Sequence, residues 1–197
     1  MVLSYEHGSG VFCVHVQEGD VVRTYDRDQI LLFLTELDER LEEPVVLEII
    51  GGAAALLAYG ARRATKDIDS FASIDEKILE AARGVEHRIP LDRATVAEPP
   101  YNYEDRRVIL DLPFRNLVVV VPERHDILLM KSVRALRNDD EVIQEMHDVE
   151  PFDLDTIVER YKSEMGQVIG DHKILDQKIQ LVVEKLFGRR GVRRFAR

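Results

Sequence analysis

The sequence predicts an α/β protein on three observations. An apolar run, Val45 to Ile50, leads into Gly51-Gly52 and a stretch of alanines, which reads as a strand entering a helix. Fifteen residues after Gly52, the stretch Asp67-Ile68-Asp69 presents two acids one residue apart. From residue 123 onward apolar residues recur at helical spacing, so helices follow the strands. The expected division is a core over 1–122 that includes an N-terminal hairpin, then a helical region over 123–197 packed on it, ending in a basic tail over 189–197.

In chain order, Val11 to Val16 and Val21 to Tyr25 flank Glu18-Gly19-Asp20 and suggest the hairpin. Asp28 is positioned to cap a helix over 29–42, whose Ile30, Leu31, Leu34, Leu37 and Leu41 form a stripe, with Pro44 ending it. Val45 to Ile50 is a buried strand, and Ala53 to Tyr59 a small-residue helix closed by Gly60. Residues 75–82 suit a short helix, 90–104 are irregular, and 108–112 and 117–121 are two further strands. Helices are expected over 123–137, from Asn138 to His147, from Pro151 to Ser163 and from Asp171 to Phe187.

Composition narrows the function classes. A chain of 197 residues, 45% hydrophobic and 32% charged, has the material for one ordinary core. No apolar run approaches the roughly 20 residues that span a bilayer and no signal-peptide pattern opens the chain, so a cytoplasmic protein with no membrane partner is expected. The lone Cys13 and six scattered histidines argue against a disulfide framework or a zinc site. A net charge of −10 disfavours general nucleic-acid affinity, yet five arginines fall in the last nine residues and leave −15 on the remainder. That tail reads as a frayed, solvated terminus or as a contact for RNA or an acidic partner.

On a strand, Asp67 and Asp69 point to the same side. Two ionised carboxylates so close repel each other, and a hard cation relieves this: Mg²⁺ takes one or two carboxylates and completes its shell with water and phosphate oxygens. The glycine pair supplies the complement, since backbone without Cβ approaches a triphosphate closely and the following helix aims its first amides at it. In the loop between them, Arg62, Arg63, Thr65 and Lys66 read either as phosphate contacts or as solvated positions. Tyr101 and Tyr103 read as base-stacking groups or, preferably, as a cover on the sheet.

At Gly51-Gly52 and Asp67-Ile68-Asp69 the chain resembles the nucleotidyltransferase superfamily built on the DNA polymerase β fold, in particular the small prokaryotic branch that includes toxin–antitoxin nucleotidyltransferases. The resemblance implies a small mixed β-sheet flanked by helices, with a C-terminal helical segment. It also implies catalytic, metal-binding roles for Asp67 and Asp69, with Mg²⁺ as cofactor, two ions allowed and Mn²⁺ able to substitute. A third carboxylate belongs on a later strand. Asp111, a lone acid in an apolar run, is the candidate, with Asp92 and Asp105 as rivals in loops. The segment Leu128-Leu129-Met130-Lys131, Arg134, Asp139-Asp140 is similar to one that packs on the nucleotide side of the sheet in relatives. Nucleotide-binding roles are thereby implied for Lys131 and Arg134 beside Gly51, Gly52, Thr65 and Lys66.

The activity implied is Mg²⁺-dependent transfer of a nucleoside monophosphate from a nucleoside triphosphate to a hydroxyl of RNA, protein or a small molecule. The alternative is a catalytically silent protein of the same fold that serves as a cognate toxin or antitoxin partner or as a nucleotide-binding regulator. Asp111 far from Asp67 and Asp69 would favour that alternative.

Overall fold

A computed structural model describes residues 23–195 except 72, 95–97, 135 and 136. The expected hairpin, with Cys13, lies outside the described residues up to residue 22. Of its second arm, Tyr25 pairs through an isolated antiparallel bridge with Thr65.

Strand β1 (Val45–Glu48) lies parallel to β5 (Leu117–Val121), and β4 (Val108–Ile109) runs antiparallel on the far side of β5. Strands β2 (Ile68–Ser70) and β3 (Leu91–Arg93) form a second, parallel pair. An antiparallel bridge between Ile50 and Asp69 joins the two, giving a small mixed sheet. The short β3 falls in the segment expected to be irregular. Its alternation is too brief to register as a sequence period. The strand expected over 108–112 is shorter, because pairing with β5 ends soon after Leu110 donates to Val119.

Helix α1 (Arg27–Asp38) packs on this sheet through Ile30, Phe33, Leu34 and Leu37. Its cap is Asp26, not Asp28: the Asp26 carboxylate accepts the Gln29 amide while the Gln29 side chain accepts the Asp26 amide. The helix ends four residues before the expected limit because Asp38 turns inward. Its buried carboxylate accepts the amides of Arg115, Asn116 and Leu117 at 2.7–2.9 Å and fixes the entry to β5. Helix α2 (Gly51–Ala58) is buried through Ala53, Ala54, Ala55, Leu56 and Leu57, and α3 (Glu76–Arg83) closes the sheet's side through Ile78.

Four helices follow: α4 (Arg124–Arg134), α5 (Arg137–Val149), α6 (Leu154–Glu164) and α7 (His172–Phe195). Helix α4 is buried nearly all round, between α2 on the sheet side and α5, α6 and α7 on the other. An ionic network ties it in place. Arg106, in a 3₁₀ turn over Tyr103–Arg106, forks onto Asp126 of α4 and Glu164 of α6 at 2.8–3.1 Å. Arg160 of α6 joins Asp126 at 2.9 Å and also pairs with Glu123. Asp126 is wholly buried, so these partners are what make its charge tolerable.

Helix α7 breaks at Gly188, whose φ of 66° takes it out of the helical region. The chain then folds back: Gly191 lies against Phe187 and Val183, Phe195 packs its ring 5.1 Å from that of Tyr161, and Arg194 pairs with Asp155. The segment through Phe195 is therefore docked rather than frayed, leaving Arg189, Arg190 and Arg193 exposed on it. Among the described residues no helix is long and apolar enough to cross a membrane.

One acid-stability prediction arises here. Burial alone would raise the Glu123 carboxyl, but hydrogen bonds and charge from His125 and Arg160 outweigh it and bring it from 4.5 to about 2. A group depressed in the folded state stabilises the fold above its unfolded pKa and loses that contribution as pH falls. The urea midpoint should therefore decline as pH drops from about 4.5 through 2. Glu123→Gln should flatten that decline; an unchanged slope would assign it to other carboxylates.

Candidate functional site

Strand β1 delivers the chain to Ile50, and Gly51 then adopts φ +67° as α2 begins. This left-handed conformation costs a residue with Cβ about 1–2 kcal/mol, and glycine avoids the cost. A Cβ at Gly51 would also stand 3.4 Å from Asp69 Oδ2, and one at Gly52 only 3.0 Å from Thr65 Oγ1. The pair is thus the surface on which Asp69 and Thr65 rest. No side chain caps α2, because Ile50 occupies its N-cap, so its first turn faces the site with the positive end of the helix dipole uncovered.

The amide of Ile50 donates to the Asp69 carbonyl at 2.9 Å, which sets Asp69 beside the glycine loop. Thr65 is held by two backbone bonds to Tyr25 and its hydroxyl reaches the Asp67 carbonyl at 3.3 Å. It therefore shapes the approach to Asp67, while Lys66 is exposed and its charge favours the ionised Asp67. The Arg62 and Arg63 amides donate to Glu145, and the Arg63 guanidinium is engaged by Glu141.

Both aspartates are pushed above the usual carboxylate range. Burial is the main cause for each. For Asp67 the nearby Asp92 adds to it, for Asp69 the nearby Asp67 does, and Arg134 opposes both. Asp92 is the register partner of Asp69 across β2 and β3, so it shares their side of the sheet about one strand spacing away.

Asp111 does not join them. It is exposed beyond the end of β4, level with Val118, whose partner on β1 is Val46. That position is five residues short of Gly51, roughly 15 Å down the strand direction, with β5 and β1 intervening before β2. The antiparallel course of β4 is the physical reason: from Val108 onward the chain runs away from the glycine loop. Asp105 is also exposed, in the 3₁₀ turn. The acid that accompanies the pair is Asp92.

Helix α4 presents Lys131 and Arg134 to the opposite side of the site. Lys131 is 5% exposed, and its Nζ lies 3.0 Å from Asp139 Oδ1 of α5. Arg134 grips the same carboxylate with Nε and Nη2 at 3.0 and 2.7 Å, while 44% of its side chain remains open. Burial depresses the Lys131 ammonium and Asp139 counteracts it; both cations also act on Asp69. Asp139 is thus the brace that holds two cations against the acidic pair. Tyr103 is structural, edge-on to Phe71 at 5.4 Å, and burial together with Glu48 pushes its hydroxyl up to about 12.

A cavity of about 380 Å³ connects these groups, lined at its charged end by Gly51, Asp69, Lys131 and Arg134. Its lining also includes Glu98, Ile169 and Lys178, which no local pattern marks because they lie on unrelated loops and helices.

A glycine loop at the end of one strand, facing Asp-x-Asp on its neighbour within a small mixed sheet, is the architecture of the nucleotidyltransferase superfamily. The chain belongs to the family described as "Nucleotidyltransferase of unknown function (DUF6036)", which matches residues 28–185. No curated protein and no solved structure matches it.

Proposed function

We propose that the chain is a metal-dependent nucleotidyltransferase that moves a nucleoside monophosphate from a nucleoside triphosphate to a hydroxyl on RNA, protein or a small molecule. The observation that carries this reading is the contact between the two halves of the motif: Asp69 Oδ2 lies where a Cβ on the positive-φ Gly51 would meet it. A carboxylate and a bare backbone so juxtaposed suit a metal-bound phosphate, and little else calls for both.

The residues fit Mg²⁺. The charge of Asp67 disfavours ionised Asp69 and that of Asp92 disfavours ionised Asp67, a repulsion that a bound cation relieves. Two carboxylates with the remaining positions left to water and phosphate is the set that Mg²⁺ prefers. Asp67 and Asp69 would hold Mg²⁺ or Mn²⁺, which would supply positive charge to neutralise the triphosphate and stabilise the entering and leaving oxygens.

The chain's own groups do the rest. The Gly51-Gly52 backbone and first turn of α2 hold the phosphates, and Lys131 and Arg134 balance charge gathering on the departing pyrophosphate. The acceptor oxygen forms its bond to the α-phosphorus as the bond to pyrophosphate breaks. Asp92, in the role expected of Asp111, takes the hydroxyl proton.

The position of Asp111 favours a second reading, in which the fold binds nucleotide without turnover as a regulator or a toxin–antitoxin partner. Thermal unfolding with each ribonucleoside triphosphate, with and without Mg²⁺, on the wild type and on Asp67→Ala/Asp69→Ala, tests the site common to both. A ligand at a hundred times its dissociation constant adds about 2.7 kcal/mol. Stabilisation that needs Mg²⁺ and vanishes in the double variant is expected. Its absence for all four triphosphates in the wild type would remove the nucleotide site. Pyrophosphate release then separates turnover from binding alone.

A further inference from the structure

The cavity that holds the candidate phosphate groups has a second, apolar end. Helix α4 builds both. Met130 and Val133 lie three residues apart, as do Lys131 and Arg134, so an apolar strip and a cationic strip run side by side along α4 and both line the cavity. The other wall comes from the loop between α6 and α7, where Ile169 lines the same cavity while 90% exposed. Among the described residues it is the most exposed large hydrophobic side chain, so apolar area on this wall is open to a ligand. Below the loop a smaller cavity of about 120 Å³ shares Val133, Ile169 and Lys178 with the first. Lys178 closes this end by donating to the Val133 carbonyl at 2.6 Å, which caps the last turn of α4.

A nucleoside triphosphate has the same polarity: a charged chain at one end and a flat ring with apolar faces at the other. With its phosphates beside Asp69, Lys131 and Arg134, the ring falls within one helical turn of Met130 and Val133. We infer that the apolar end of this cavity is the nucleobase subsite, with Met130 and Val133 against one face of the base and Ile169 closing over the other. This rests on the nucleotide reading above and deepens it by naming what receives the base. Because the walls grip ring faces rather than edges, the subsite accepts all four bases with similar affinity.

The test compares two probes on the full-length chain, Mg²⁺ with each ribonucleoside triphosphate and Mg²⁺ with inorganic tripolyphosphate, which has the charge but no base. Dissociation constants are measured for the wild type, Ile169→Ser and Ile169→Phe. Residue 169 is so exposed that neither variant threatens folding. Ile169→Ser should weaken every nucleoside triphosphate roughly tenfold and leave tripolyphosphate unchanged, since only the base loses its cover. Ile169→Phe should retain or tighten nucleotide binding, as a larger apolar face covers the ring. Equal loss of both probes, or no loss of either, would overturn the assignment while leaving the phosphate site standing. Loss of transfer with nucleotide binding intact would overturn it too, by giving this wall to the acceptor. A wild type that binds neither probe would remove the nucleotide site itself, and the subsite with it.

Discussion

Asp69→Asn should lower pyrophosphate release roughly a thousandfold, measured with Mg²⁺, the triphosphate that binds best, and cellular RNA and protein as an acceptor pool. Metal-held charge stabilisation is worth several kcal/mol in the transition state, and each 1.36 kcal/mol is tenfold in rate. Asparagine keeps the shape of the side chain and its contact with the Gly51 loop, so the loss reports charge rather than folding. The companions of this variant carry the structural point. Asp92→Asn should cost about a hundredfold, the range of a displaced general base. Asp111→Asn, exposed and far from the glycine loop, should stay within about twofold. The reverse ranking of these two would return the third acid to the neighbourhood of β4.

The second large effect is expected at Asp139. Removing one partner of a buried ion pair costs about 3–5 kcal/mol, because the other charge is left desolvated. Asp139→Ala leaves Lys131 in that state and frees Arg134 from its two-toothed grip. Urea unfolding should register a loss of this size. The variant Asp139→Ala/Lys131→Met should recover most of it, since no buried charge then lacks a partner, yet nucleotide-dependent stabilisation should stay weak. Recovery of both together would mean that Lys131 serves the fold alone.

Much of the sheet and part of the site were legible because their signals are local. Gly51-Gly52 and Asp67-Ile68-Asp69 announce a turn and a shared strand face within nineteen residues, and Leu47 and Ile49 mark the strand that leads into them. The helices were legible from their stripes, and α1 starts earlier than expected because Asp26 rather than Asp28 caps it. Asp92 and Asp111 show where such reading stops. Asp111 stands in an apolar run and Asp92 between Leu91 and Arg93, yet what decides which acid reaches the pair is the direction of β3 and β4 relative to β1, a property of pairing across the chain. Ile169 and Lys178 reach the cavity only because α6 and α7 return to α4, and no local pattern encodes that return. The docked arm after Gly188 was hidden for a different reason: its arginines dominate the composition, while its one buried large side chain is Phe195.

The junction of the two strand groups bears on how this molecule works under load. Among the described residues, the backbone link between the β1–β5–β4 slab and the β2–β3 slab is the single Ile50–Asp69 bridge. The glycine loop rides on one slab and the paired acids on the other, so the site spans a seam. Each slab keeps its own register if the seam opens slightly, yet the gap between bare backbone and carboxylate changes at once. The placing of Asp69 against the glycine loop therefore depends on one backbone hydrogen bond, that of the Ile50 amide to the Asp69 carbonyl.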